Sequence, residues 1–206
     1  DYVNLGTSST FSFAATEPFS ISSWAYFDVA VERTIIRKGT QAGSDYEWRL
    51  FTSSTNGYLT FACYNPTASA YIGRVYETIV STGQWHHIVA TYDGGTSSSG
   101  FEIYLNGVAV SSANYQTGSF SAMVDNDGDV YVGRYGNYFD GKMDEIAIFN
   151  KELTLAEVQQ LNAADPQNAG DAVGITNLVG YWKFDEGSGE PQDTSGNDNH
   201  GTINGA

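Results

Sequence analysis

A period of two in the apolar residues constrains this chain more than any other feature. In Phe19-Ser-Ile-Ser-Ser-Trp-Ala-Tyr26, an extended backbone puts Phe19 and Ile21 on one face and Trp24 and Tyr26 on the other. Tyr58 to Tyr64 and Trp85 to Tyr92 repeat the pattern. Phe101-Glu-Ile-Tyr-Leu105 runs into Asn106-Gly107 and then Val108-Ala-Val110. Asn-Gly between two apolar runs predicts a tight hairpin, because both turn residues tolerate positive φ. Val130 to Val132, Met143 to Phe149 and Val179 to Phe184 supply further strands. Many short strands at this spacing predict an all-β, antiparallel two-sheet sandwich or barrel. No alternation of strands with long helices supports a parallel sheet.

One stretch reads as helix. Thr154-Leu-Ala-Glu157 is a capping box, and Leu155, Val158 and Leu161 follow at helical spacing. The expectation is a short surface helix near 155–163, ending before Pro166. Residues 165–177 are polar, carry Gly170 and Gly174, and read as a connecting loop.

Charge narrows the partners. With 9 basic against 24 acidic residues, the net charge is -15. Phosphate backbones and anionic lipid both require basic surface, so neither nucleic acid nor membrane docking is expected. No apolar run is long enough to span a bilayer. The single cysteine, Cys63, lies in a strand pattern and reads as a small buried hydrophobe.

An ordered set of motifs then carries a resemblance. Gln84-Trp-His-His-Ile-Val-Ala-Thr-Tyr-Asp93, Ile103-Tyr-Leu-Asn-Gly107, Tyr131-Val-Gly-Arg134, Phe139-Asp-Gly-Lys-Met-Asp-Glu-Ile-Ala-Ile-Phe149 and Leu153-Thr-Leu-Ala-Glu157 follow one another here. The set resembles the laminin G-like (LamG-like jelly roll) domains of the concanavalin A-like lectin/glucanase superfamily. The resemblance implies one jelly-roll domain over residues 1–206. In those domains a segment like Tyr181-Trp-Lys-Phe-Asp-Glu-Gly187 usually comes first; here it comes last. Residues 178–206 therefore either complete the sandwich in permuted fashion or begin a following repeat. An unpaired terminal strand would expose Tyr181, Trp182 and Phe184, so self-association through it is a further expectation.

Two places offer the oxygen ligands a hard cation needs: Asp193-Thr-Ser-Gly-Asn-Asp-Asn199, and Asp144. The resemblance implies a Ca2+ bridging the Asp144 strand end and the segment near Asp1 or Asp185. The ligand set expected is thus Asp1, Asp144, Asp185, Asp193, Asn197 and Asn199, against the alternative that these side chains cap turns. Asp125-Asn-Asp-Gly-Asp129 begins like an EF-hand loop but has Val130 where Gly is required and Gly136 where Glu is required. It reads as a polar turn.

Sugars present C–H faces to aromatic rings and hydroxyls to polar groups. Three clusters could meet them: Tyr46, Trp48 and Arg49; Arg134, Tyr135, Asn137 and Tyr138; and Tyr64, Asn65 and Tyr71. Trp24, Trp85 and Trp182 lie within strand patterns and are assigned to structure. His86 and His87 are adjacent, point to opposite faces, and cannot chelate one metal together. No strand places two carboxylates on alternate positions as a retaining glycosidase requires, since Asp144 and Glu145 are neighbours.

The reading is a non-catalytic carbohydrate-binding or adhesion module, calcium-stabilised, within a larger secreted or surface protein, with a polysaccharide or glycan as partner. Its alternatives are a structural or interaction domain of a surface or phage fibre, and a polysaccharide lyase or hydrolase of the same fold.

Overall fold

The computed structural model describes residues 1–7, 9–13, 17–40, 45–163 and 174–205. Among them run, in chain order, β1 (Tyr2–Asn4), β2 (Phe19–Phe27), β3 (Thr34–Gly39), β4 (Tyr46–Thr52), β5 (Tyr58–Asn65), β6 (Ala70–Ile79), β7 (Trp85–Tyr92) and β8 (Phe101–Leu105). There follow β9 (Val108–Ala109), β10 (Ala113–Thr117), β11 (Val130–Val132), β12 (Arg134–Tyr135), β13 (Asn137–Tyr138) and β14 (Gly141–Phe149). Helix α1 (Leu155–Asn162), β15 (Leu178–Trp182) and β16 (Thr202–Asn204) complete the described elements. An eight-stranded sheet, ordered β10-β6-β5-β4-β3-β11-β1-β16, faces a six-stranded one ordered β15-β14-β2-β7-β8-β9. Every strand pairing is antiparallel. The two-sheet sandwich read from the alternation is the observed architecture.

The core is the set of inward positions. Phe19, Ile21, Ala25 and Phe27 of β2 meet Trp48 and Leu50 of β4 and Leu59, Phe61 and Cys63 of β5 between the sheets. Aromatic contacts tie the layers, with Phe19 against Trp48 at 5.8 Å and Phe61 against Phe101 at 5.5 Å between ring centroids. Each such ring withdraws roughly 2–3 kcal/mol worth of apolar surface from water. Cys63 is wholly buried, which raises its thiol pKa and keeps it unreactive.

Local signals behave as expected where they are strong. Asn106 and Gly107 take φ of 53° and 77°, and the flanking residues pair as Leu105 with Val108. The capping box forms: the Glu157 N–H donates to the Thr154 hydroxyl and the Thr154 N–H to the Glu157 carboxylate. Most of the expected loop, residues 164–173, lies outside the described residues. The Asp125–Asp129 run forms turns in which Asp125 and Asn126 side chains accept from the N–H groups of Asp127 and Gly128.

The terminal segment joins both sheets of this chain. Leu178–Trp182 pairs with β14, and Thr202–Asn204 pairs with β1. Trp182 is fully buried against Phe11 and donates its indole N–H to the Asn199 carbonyl.

The two outer faces differ. On the six-stranded sheet, Val158 and Leu161 of α1 cover Val89, Ala147, Phe149 and Tyr181. The outer face of the eight-stranded sheet carries no described helix.

Candidate functional site

Register defines the uncovered face. Tyr131, Arg37, Arg49, Ala62, Gly73 and Tyr115 are successive Cα partners across β11, β3, β4, β5, β6 and β10. Directly paired residues share a face, so these six form one row across the outside of the sheet. Ala62 and Gly73 separate Arg49 from Tyr115 without filling the space above them. A Cβ on Gly73 would come within 2.1 Å of the Phe61 carbonyl, so the close approach of β5 and β6 demands glycine there.

Tyr46 reaches the same face through a bulge. Trp48 pairs with Lys38 and Tyr46 with Gly39, so two steps on β4 oppose one on β3, and Glu47 is the extra residue. In an unbroken strand Tyr46 and Trp48 would share a face. The bulge sends Trp48 into the core, draws Glu47 inward against Lys38, and turns Tyr46 outward.

The outcome is a chain of aromatic rings around a guanidinium. Tyr135 meets Tyr46 at 5.3 Å, Tyr46 meets Tyr64 at 5.2 Å, and Tyr64 meets Tyr71 at 5.7 Å. Tyr71 stacks on Tyr115 at 4.6 Å, and Tyr115 meets Phe51 at 6.3 Å. Arg49 closes the circuit, its guanidinium carbon 3.9 Å from the centroid of Phe51 and 4.3 Å from that of Tyr135. A recess of about 470 Å3 opens between Arg49, Tyr64, Tyr115, Tyr135, Phe51 and Glu32. An adjoining one of about 330 Å3 shares Tyr46 and Tyr64 and adds Tyr71, Asn65 and Asp45. Volumes of this order suit small organic ligands.

The chemistry is neutral phenols about one cation. Tyr64, Tyr71, Tyr115 and Tyr135 are half-buried, so ring faces and hydroxyls remain accessible. Burial raises the pKa of Tyr46, Tyr64 and Tyr115, keeping them protonated donors. The Tyr46 hydroxyl is buried beside the Tyr135 ring and meets no hydrogen-bond geometry among the described residues. At the rim Glu32 accepts from the Asn137 amide at 3.0 Å.

The sequence-expected sugar residues thus divide. Tyr46, Arg49, Tyr64, Tyr71 and Tyr135 converge, Asn65 borders the second recess, and Asn137 braces Glu32. Trp48 is a correction: it is fully buried in the core and donates its indole N–H to the Phe11 carbonyl, because neighbouring Arg49 holds the outward position. Arg134 and Tyr138 turn away to Tyr2, the guanidinium carbon 4.3 Å from the Tyr2 centroid and the Tyr138 ring 6.3 Å from it. Tyr115 and Phe51 were not expected. The alternation of Ala113, Tyr115 and Thr117 was the signal for the first, and residence two positions from Arg49 the signal for the second.

The expected calcium ligands are not assembled. Asp193 accepts three backbone N–H groups, from Tyr181, Ser195 and Asn199, and so organises the terminal turn. Asn197 and Asn199 donate their amides to the Val179 carbonyl. Asp144 accepts the Glu145 N–H; burial, with Asp185 and Glu186 nearby, raises its pKa to about 6. Asp1 lies near Gly205. Among the described residues no three acidic, histidine or cysteine side chains converge to hold a metal ion. These donors do not fit a calcium cage, which takes six to eight oxygens. His86 and His87 are both buried; His87 bonds Ser22 at 2.9 Å, and burial lowers its pKa to about 4.

Comparison with known proteins follows the fold. The family model described as the concanavalin A-like lectin/glucanases superfamily, of laminin G type, matches residues 1–159. No curated protein matches the sequence. Among solved structures, a protein of Bacteroides ovatus ATCC 8483 named as a candidate carbohydrate binding protein is similar over 100% of this chain and 56% of its own, with 21% identity and a TM-score of 0.64. This chain thus spans little more than half of that protein. Domain 4 of AbnA, a GH43 extracellular arabinanase of Geobacillus stearothermophilus in complex with arabinotriose, is similar over 73% of this chain and 68% of its own. Its identity is 19% and its TM-score 0.52. Both likenesses are likenesses of fold.

Proposed function

The chain belongs to the concanavalin A-like lectin/glucanases superfamily, and from that premise we propose that it is a carbohydrate-binding module whose site is the tyrosine-ringed recess outside the eight-stranded sheet. One observation carries the reading: six aromatic rings and Arg49 enclose an open recess on the sheet face that no described helix covers. Rings that stay half-exposed offer platforms for the C–H faces of sugars, and their neutral hydroxyls bond sugar hydroxyls. The similar structures named for carbohydrate binding and for an arabinotriose complex support the same class of ligand.

The module is non-catalytic. Among the described residues Glu32 is the one carboxylate lining the larger recess, whereas glycoside hydrolysis uses a pair. His86 and His87 belong to β7 of the other sheet and His200 to the terminal turn, so no histidine base reaches the recess. An extracellular setting, as part of a larger polysaccharide-active or adhesive protein, is consistent with the modular arabinanase domain that shares the fold. Calcium is not part of this reading.

Affinity electrophoresis against a polysaccharide panel, with assay for released products, tests it. Retardation by at least one polysaccharide, weakened about tenfold or more in Tyr64→Ala and Tyr115→Ala at unchanged melting temperature, is the expected result. Release of shortened or unsaturated products would make the protein a hydrolase or lyase instead.

A further inference from the structure

The recess is built around a charge the protein leaves unanswered. Arg49 is 8% exposed, and both of its side-chain hydrogen bonds end on one neutral oxygen, Thr34 Oγ1, at 3.1 and 2.7 Å. Its third nitrogen, Nη1, has no hydrogen bond among the described residues. Arg37, its direct cross-strand partner, is 1% exposed and bonds only carbonyl oxygens, those of Arg134 and Thr40, each at 3.1 Å. Neither guanidinium forms an ion pair among the described residues. Buried cations are normally matched by an acid. Lys38, one residue from Arg37 and equally buried, follows that rule with Glu47 at 2.6 Å and Asp125 at 3.5 Å. Shortage of acid is no explanation in a chain with 24 acidic and 9 basic residues. Burial holds Tyr46, Tyr64 and Tyr115 protonated, so they supply no counter-charge.

We propose that the recess selects acidic sugars, with the carboxylate of a uronate unit seated on Arg49 between Tyr64, Tyr115 and Tyr135. The inference rests on the carbohydrate-binding reading and names the ligand class of that same site. A guanidinium fork matches a carboxylate in plane, and a charge-assisted pair in a half-dry recess is stronger than a bond to a neutral hydroxyl. The surrounding rings take the sugar's C–H face and exclude water from the pair. A carboxylate is favoured over dense sulfation because the net charge of -15 repels a heavily charged polymer as it approaches. Glu32 and Asp45 at the rims add to that repulsion away from Arg49.

Calorimetric titration of the whole chain decides it. The probes are oligomers of galacturonate, mannuronate and glucuronate, each paired with its carboxyl-reduced neutral counterpart, and a sulfated galactan oligomer that contains no uronate. At least one uronate oligomer should bind about tenfold or more tighter than its reduced form. Arg49→Gln should erase that preference, while Arg49→Lys retains part of it. The preference in the native chain needs no variant to fold. Equal binding of every uronate and its reduced form, tighter binding of the sulfated oligomer, or neutral glycans binding where no uronate does would each overturn the inference and leave the carbohydrate site intact. Absence of binding to any glycan, acidic or neutral, would instead remove the reading beneath it.

Discussion

The Lys38 ammonium lies 2.6 Å from the Glu47 carboxylate, both 1% exposed, at the bulge that turns Tyr46 toward the recess. The inward pair and the outward tyrosine are two consequences of one extra residue in β4. A buried pair stabilises little against a well-packed apolar replacement, but half of one is costly. Glu47→Gln alone should therefore destabilise the fold by about 3–5 kcal/mol, and Lys38→Met with Glu47→Leu should recover most of that loss. Urea denaturation of the three variants measures both numbers.

Trp182 belongs to the last long strand yet lies at the centre of the packing, fully buried between the sheets. Trp182→Ala should cost about 3–5 kcal/mol, and removal of residues 178–206 should leave a chain that does not unfold cooperatively. A truncated protein with a normal denaturation curve would mean that this segment serves a different domain.

Glu145 sits in the β14 bulge with φ of 50° and accepts the Tyr181 hydroxyl. Burial raises its pKa from 4.5 to about 7, and that of Asp144 from 3.8 to about 6. Between those limits the native state holds protons that the unfolded chain has released, so stability falls as pH rises through the window. Melting temperature should decline from about pH 4.5 to 7, and Glu145→Gln should flatten the decline. His87, held down to about 4, contributes a rise over the same interval, so the comparison decides: a Glu145→Gln profile that declines as steeply as the native one would contradict the assignment.

Calcium, expected from the resemblance, would have to draw on Asp144, Asp185, Glu186 or Asp1, since the Asp193 carboxylate already takes three N–H groups. Among the described residues these carboxylates do not converge in threes, a poor start for an ion that takes six to eight oxygens. The melting temperature should move by no more than about a degree between chelator and millimolar calcium. A rise of several degrees, abolished by Asp144→Asn, would restore the metal to the account.

The strands with clean alternation were legible in the sequence, as were the Asn106-Gly107 hairpin and the capping box at Thr154. Strands β3 and β4 were not. Ile35-Ile-Arg-Lys38 and Glu47-Trp-Arg-Leu50 interleave charged and apolar residues on both faces, because Lys38 and Glu47 face inward as a pair. The bulge at Glu47 also breaks the parity that would have kept Tyr46 on the face of Trp48, opposite Arg49. Tyr115 escaped notice for a different reason. It lies on an edge strand of polar residues, and only its register with Gly73 carries it to the recess. Members of all three clusters read from the sequence, Tyr46 with Arg49, Tyr64 with Tyr71, and Tyr135, became one site through strand order, which local spacing does not encode.

The most direct test of the account is amide chemical-shift mapping during titration with a polysaccharide fragment that the protein retains. The account predicts perturbations grouped on Arg49, Phe51, Ala62, Tyr64, Gly73, Tyr115 and Tyr135, across four strands of one sheet face and the adjoining β12. Perturbations confined to the six-stranded sheet or to the terminal turn at Asp193, with this row unmoved, would contradict it.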